Sequence, residues 1–108
     1  MSRLLAALLV VGAACVRTVP LPETAERHRP RTADGVEISL VRYRPTSGPA
    51  GRPVLLCHGI SANDRNMDLD DQHSMARWFA AQGREAWTMS LRGTGGSDDP
   101  ADNTFDDF

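Results

Sequence analysis

The run Val54-Leu-Leu-Cys57, bounded by Pro53 and broken abruptly by His58-Gly59, constrains the fold of this chain more than any other feature. Val, Leu and Cys in unbroken succession between a proline and a glycine suit a strand covered on both faces, as in a parallel sheet flanked by helices. Ligand sites in such sheets lie just past the strand ends. The loop that opens at His58 is therefore the first place to look for chemistry.

The surrounding pattern supplies the other elements. Thr32-Ala-Asp-Gly35 carries the Asp-Gly signal of a tight hairpin turn, and behind it Val36, Ile38 and Leu40 alternate with Glu37 and Ser39. A strand is predicted over residues 36–44, and a change of parity at Leu40-Val41 predicts a bulge or burial on both faces. Residues 45–53 are a loop by composition. Asp70-Asp71 are candidate caps for a helix over residues 72–82, where Met75, Ala76, Phe79 and Ala80 share a face and Gly83 sits at the left-handed C-terminal position. Glu85 to Ser90 returns as a strand with Trp87, Met89 and Leu91 on one side, ending in the loop Arg92-Gly-Thr-Gly-Gly-Ser97. Strand, helix and strand in that order make a βαβ crossover, hence an α/β fold with a parallel pair. Thr104 to Phe108 reads as the first turn of a further helix.

The N-terminus has a different character. Arg3 precedes an eleven-residue apolar run, Leu4 to Ala14, too short to span ~30 Å of hydrocarbon and suited to a secretory signal. Cys15 follows Ala13-Ala14 directly, an arrangement that resembles the lipobox of bacterial lipoproteins, although Gly12 stands where that pattern favours Leu. The expected organisation is a signal peptide over residues 1–14, lipidation at Cys15, a Pro- and Arg-containing tether over 15–31, and a domain over 32–108. Attachment to a bacterial membrane in the cell envelope follows, with a periplasmic or secreted form as the alternative.

Composition removes several classes of function. All twelve basic residues are Arg, so Schiff-base and Walker-type lysines are excluded. A net charge of −2 and the crowd Asp98, Asp99, Asp102, Asp106 and Asp107 argue against a nucleic-acid partner. Arg27, Arg29 and Arg31 read as a solvated linker rather than a phosphate site. His28, His58 and His73 share no ligand spacing and no Cys-x-x-Cys occurs, so neither metal nor cofactor is expected. Cys57 reads as a small buried apolar residue.

The ordered set of Asp34-Gly35, the strand-to-His58-Gly59 junction, the Leu91-to-Asp98 loop and the Thr104-to-Phe108 run resembles the α/β-hydrolases, in their esterase and lipase branch. The resemblance covers about residues 33–108 and implies the N-terminal part of a hydrolase sheet, cut before the nucleophile elbow. It places an oxyanion-hole donor at the backbone N–H of Ile60, with Gly59 admitting close approach and His58 orienting the loop. His58 is not the catalytic histidine of that family, which comes near the end of the full chain. Leu91 and Thr94 depart from a common family form with Asp and His there. Ser61 stands where epoxide hydrolases and haloalkane dehalogenases usually carry Pro, which favours ester chemistry.

No Gly-x-Ser-x-Gly is present, and Ser97 has Gly95 before it but Asp99 after it, so Ser97 reads as a turn residue. The nucleophile, acid and base are accordingly expected outside this chain, which alone should be inactive. The substrate is expected to be a small-molecule or lipid ester. The rival reading is a small non-catalytic exported lipoprotein that uses a hydrolase-like sheet for binding or scaffolding. For the N-terminus the expected outcome is a mature protein beginning at acylated Cys15; mass spectrometry of the purified protein checks it, and an unmodified Cys15 overturns it.

Overall fold

The computed structural model describes residues 20–48 and 51–107. The expected signal peptide and Cys15 lie outside the described residues. In chain order the elements are strands β1 (Ala25–His28), β2 (Ser39–Tyr43) and β3 (Val54–Cys57), helix α1 (Met75–Ala81) and strand β4 (Ala86–Ser90). Two 3-10 turns, Asp64–Met67 and Phe105–Asp107, follow β3 and β4 respectively. The strands form one mixed sheet in the order β1-β2-β4-β3. β3 and β4 are parallel, with Val54 opposite Ala86 and Cys57 opposite Met89, so α1 is the crossover that parallel neighbours require. β2 runs antiparallel on the other side of β4, and β1 antiparallel beyond β2.

Helix α1 begins and ends by local chemistry. The Ser74 hydroxyl accepts the Arg77 N–H at 3.0 Å, a serine N-cap. At the other end Gly83 takes φ 79°, its N–H donates to Ala80 O, and the Arg84 N–H donates to Phe79 O, which together satisfy carbonyls the helix leaves open. The helix is shorter than the predicted 72–82 because Asp70 spends its carboxylate on the N–H groups of Gln72 and His73 in a turn, leaving Ser74 as the cap.

Burial divides the sheet cleanly. Ser39, Val41 and Tyr43 of β2, Leu56 of β3 and Ala86, Thr88 and Ser90 of β4 lie on the covered face. Ala76 and Ala80, one turn apart on α1, meet this face, and their small size allows the helix to approach closely. A buried carboxylate ties the layers: Asp68 accepts the Tyr43 hydroxyl at 2.8 Å and the Arg77 Nε–H at 2.7 Å. Burial pushes the Asp68 carboxyl up, but hydrogen bonds from Arg77, Ser74 and Tyr43 outweigh it and hold the group below the usual carboxylate range. Burial and the same Asp68 push the Tyr43 phenol well up.

Four expectations are corrected. The segment 15–31, expected to be a tether, contains β1. Its charged residues mask a strand because an edge position needs partners rather than apolar alternation: Glu26 pairs with Arg42 and Arg44, and Arg27 donates to Ser39 Oγ. Arg29 and Arg31, though exposed as expected, likewise meet Glu37 rather than lying free in a linker. The second strand starts at Ser39 rather than residue 36 and runs without a bulge through Leu40-Val41. The change in parity reflects burial on both faces, since Val41 and Tyr43 turn to the helix while half-buried Leu40 faces the other side. Finally, β3 is an edge strand among the described residues. Leu55 is 56% exposed and Cys57 is exposed rather than buried, because no described element covers their side of the sheet.

The hairpin before β2 forms as expected. Gly35, at φ 84°, donates to Thr32 O, and Thr32 N–H donates to Val36 O. From this turn Asp34 reaches across to the Arg92 guanidinium, which is only 8% exposed, and so joins the start of the domain to the end of β4.

Two outcomes follow. Replacing Gly83 by Ala forces a Cβ into the left-handed region and is expected to lower stability by about 1–2 kcal/mol in urea unfolding. The Arg92 guanidinium and the Thr32 hydroxyl hold the Asp34 carboxyl down at about 2, against an ordinary 3.8. Because the folded value is depressed, the ion pair's contribution is present above about pH 4 and lost as pH falls towards about 2. Asp34→Asn is therefore expected to flatten the acid limb of a stability-against-pH curve in that window; an unaltered limb overturns the assignment.

Candidate active site

Because β3 and β4 are parallel, the loops that leave their carboxyl ends emerge side by side. The first begins at His58, the second at Leu91. His58 is 6% exposed and joins the two loops. Its Nε2 accepts the Leu91 N–H at 3.0 Å, so the proton of the neutral ring belongs on Nδ1, which donates to Gly59 O at 2.8 Å. Thr94 Oγ1 lies 3.1 Å from the same Nε2 and donates to Leu91 O. Thr94 thus takes part in this junction.

Beyond His58 the chain turns outward. Gly59 is exposed, the Ile60 side chain is 99% exposed, and among the described residues the Ile60 N–H has no protein acceptor. Ser61 has φ 61°, the one positive φ outside glycine among the described residues. The path then returns inward: the Asn63 side chain accepts the Arg65 N–H and caps the 3-10 turn Asp64–Met67. Asp64 is buried at 6% exposure, with Ser90 Oγ donating to its Oδ1 at 2.7 Å and its own N–H donating to Ser90 Oγ at 3.2 Å.

The second loop lies across the ends of β2 and β4. A Cβ on Gly95, which has φ 50°, would sit 2.3 Å from Ser90 Oγ, and one on Gly96 would sit 3.1 Å from Ser39 Oγ. Those glycines serve close packing on two serines, in keeping with a turn rather than a phosphate cradle. Ser97 is bound into it, accepting the Ser39 N–H at 2.8 Å and donating to Ser90 O. Ser90 is fully buried and committed to Asp64. Neither hydroxyl is presented as a nucleophile.

Asp34, Arg92, Asn103 and Thr104 help line an open cavity of about 420 Å³, but His58, Gly59 and Ile60 take no part in it. Among the described residues no cluster of His, Cys, Asp or Glu is arranged for a metal ion. His58, Gly59 and Ile60 are consecutive at the carboxyl end of β3, and beside them the structure places Asp64, Ser90 and Arg27, which sequence reasoning did not single out. The available signal was the polar residues at alternate positions of a strand, Thr88 and Ser90, on the side that faces the core.

No protein-family model matches the chain, and no curated protein matches it in sequence. Solved structures do. A membrane phospholipase A, described as a bacterial virulence factor, aligns with TM-score 0.58 and 21% identity over 76% of this chain and 23% of its own. The alpha/beta hydrolase GrgF from Penicillium sp. sh18 aligns with TM-score 0.54 and 23% identity over 72% of this chain and 24% of its own. The chain thus spans about a quarter of the length of either protein, and at these identities the likeness speaks to architecture alone. A mixed sheet of four strands, with its parallel pair joined through α1, gives the described residues an α/β-hydrolase-like fold.

Proposed function

We propose that this domain is the N-terminal part of a serine hydrolase that cleaves carboxylic esters, with nucleophile, acid and general base supplied by residues outside this sequence. Attack of a serine hydroxyl on an ester carbonyl yields a tetrahedral intermediate whose oxygen carries negative charge. A fixed backbone N–H stabilises that oxygen with little reorganisation. Ile60 N–H is the donor in this reading. Gly59, with no side chain, admits the substrate, and His58 holds the loop through its bonds to Gly59 O and Leu91 N.

The observation that carries this reading is an N–H without a protein acceptor among the described residues, at the carboxyl end of β3, in a loop fixed by a buried histidine. The mature chain is anchored through acylated Cys15, which places it in the cell envelope beside a supply of lipid esters. A phospholipase among the structural neighbours agrees with lipid esters as the substrate class.

Ile60→Pro in the complete gene product removes the N–H while leaving an exposed side chain exposed. Its kcat on p-nitrophenyl butyrate is expected to fall by about 10²–10³-fold. Unchanged turnover in a folded variant rules out the donor.

A further inference from the structure

We propose that Asp64 is a positioning residue that fixes the bearing of the Ile60 N–H, an inference that deepens the hydrolase reading and rests on it. A carboxylate at 6% exposure is costly to bury unless its oxygens are engaged. An apolar residue would pack the same space without that cost. Asp64 instead forms a two-way bond with Ser90: Oγ donates to Oδ1, and the Asp64 N–H returns to Oγ. Its Oδ2 lies 3.8 Å from Arg27 NH1 of β1, and that same nitrogen donates to Ser39 Oγ at 2.6 Å. The carboxylate therefore links the loop after β3 to β4 and, through Arg27, to the edge strand beyond.

The position of this bond matters more than its strength. His58 is pinned to Leu91 and Asp64 to Ser90, adjacent residues at the end of one strand. Residues 59–63 hang between the two pins, with Ile60 near the middle. Within that span Ser61 holds φ 61°, a conformation unfavourable for a non-glycine residue that persists where the surroundings over-determine it. Two pins at fixed separation supply that determination. Gly95 closes the arrangement from above, packed so near Ser90 Oγ that the hydroxyl has little room to swing off the carboxylate. Releasing Asp64 lets Ser61 relax and turns the Ile60 N–H away, and a displacement of about 1 Å in a catalytic group costs about 10²-fold in rate.

The test is kinetic and uses the complete gene product with p-nitrophenyl butyrate. Asp64→Ala is expected to lower kcat about 10²-fold with KM within about twofold, the signature of an interaction made in the transition state. Asp64→Asn, which keeps an acceptor for Ser90 Oγ, is expected to restore kcat to within about fivefold of the parent. Wild-type kcat in Asp64→Ala, or an Asn variant as damaged as the Ala variant, overturns the proposal. Should Asp64→Ala fail to fold, Ser90→Ala breaks the same bond from its other end and is expected to show the same split; intact kcat there is equally fatal. If the unsubstituted protein hydrolyses no ester, the hydrolase reading fails separately. Backbone 15N relaxation then decides the positioning claim: an Ile60 order parameter falling from about 0.85 to below about 0.6 in the Asp64 variants supports it, and an unchanged one overturns it.

Discussion

The parallel pairing of β3 with β4 is the constraint from which the rest of the structure follows. Two parallel neighbours cannot be joined by a tight turn, so the chain between Cys57 and Ala86 must travel back along the sheet, and α1 is that return. The return covers one face and creates the core of Val41, Tyr43, Leu56 and Ala86 against Ala76 and Ala80. It also sends both loops out of the same end of the sheet. An antiparallel β3 would have put the His58 and Leu91 loops at opposite ends, with no bond between them.

With the loops adjacent, short polar bonds decide how they sit. His58 is small enough to be buried between them and, in its neutral form, can donate at one nitrogen and accept at the other; the structure uses both. Asp64 and Ser90 form the second junction one residue away on β4. Neither junction contributes much apolar burial. What they contribute is a defined path for five intervening residues, most of whose side chains have little packing of their own.

Much of the covered face was legible in the sequence, because apolar periodicity and turn chemistry are local signals. Val54 to Cys57 as a strand, Gly83 as a helix stop and Asp34-Gly35 as a turn all rest on such signals. β1 was not legible, since Ala25-Glu-Arg-His28 is a strand only by virtue of what its side chains meet: Arg42 for Glu26, Ser39 for Arg27, and the Trp87 ring, whose centroid is 5.3 Å from that of His28. The exposure of Leu55 and Cys57 was equally hidden. A continuous apolar run signals a strand suited to burial on both faces, and whether both faces are covered depends on elements elsewhere. His58, Gly59 and Ile60 could be proposed from sequence because a strand-end motif marks them. Asp64 was not, because its partner Ser90 is twenty-six residues away and no periodicity connects the two.

Polar residues at the centre of a sheet need a reason, and here the reason is size as well as hydrogen bonding. Ser39 and Ser90 face each other across β2 and β4, and both are fully buried. An apolar residue of larger volume at either position would strengthen the core by area alone. It would also crowd the glycine loop, because a Cβ on Gly95 would already collide with the Ser90 hydroxyl and one on Gly96 would press tightly on that of Ser39. Small side chains on the strands and absent ones on the loop are therefore one joint solution. They let residues 93–97 lie flat over the strand ends, where Ser97 caps the Ser39 N–H and Gly96 O accepts from Arg29. Stability given up in the core at Ser90 is returned as order in the loops on both sides of it, and that order is what the backbone donor proposed at Ile60 requires.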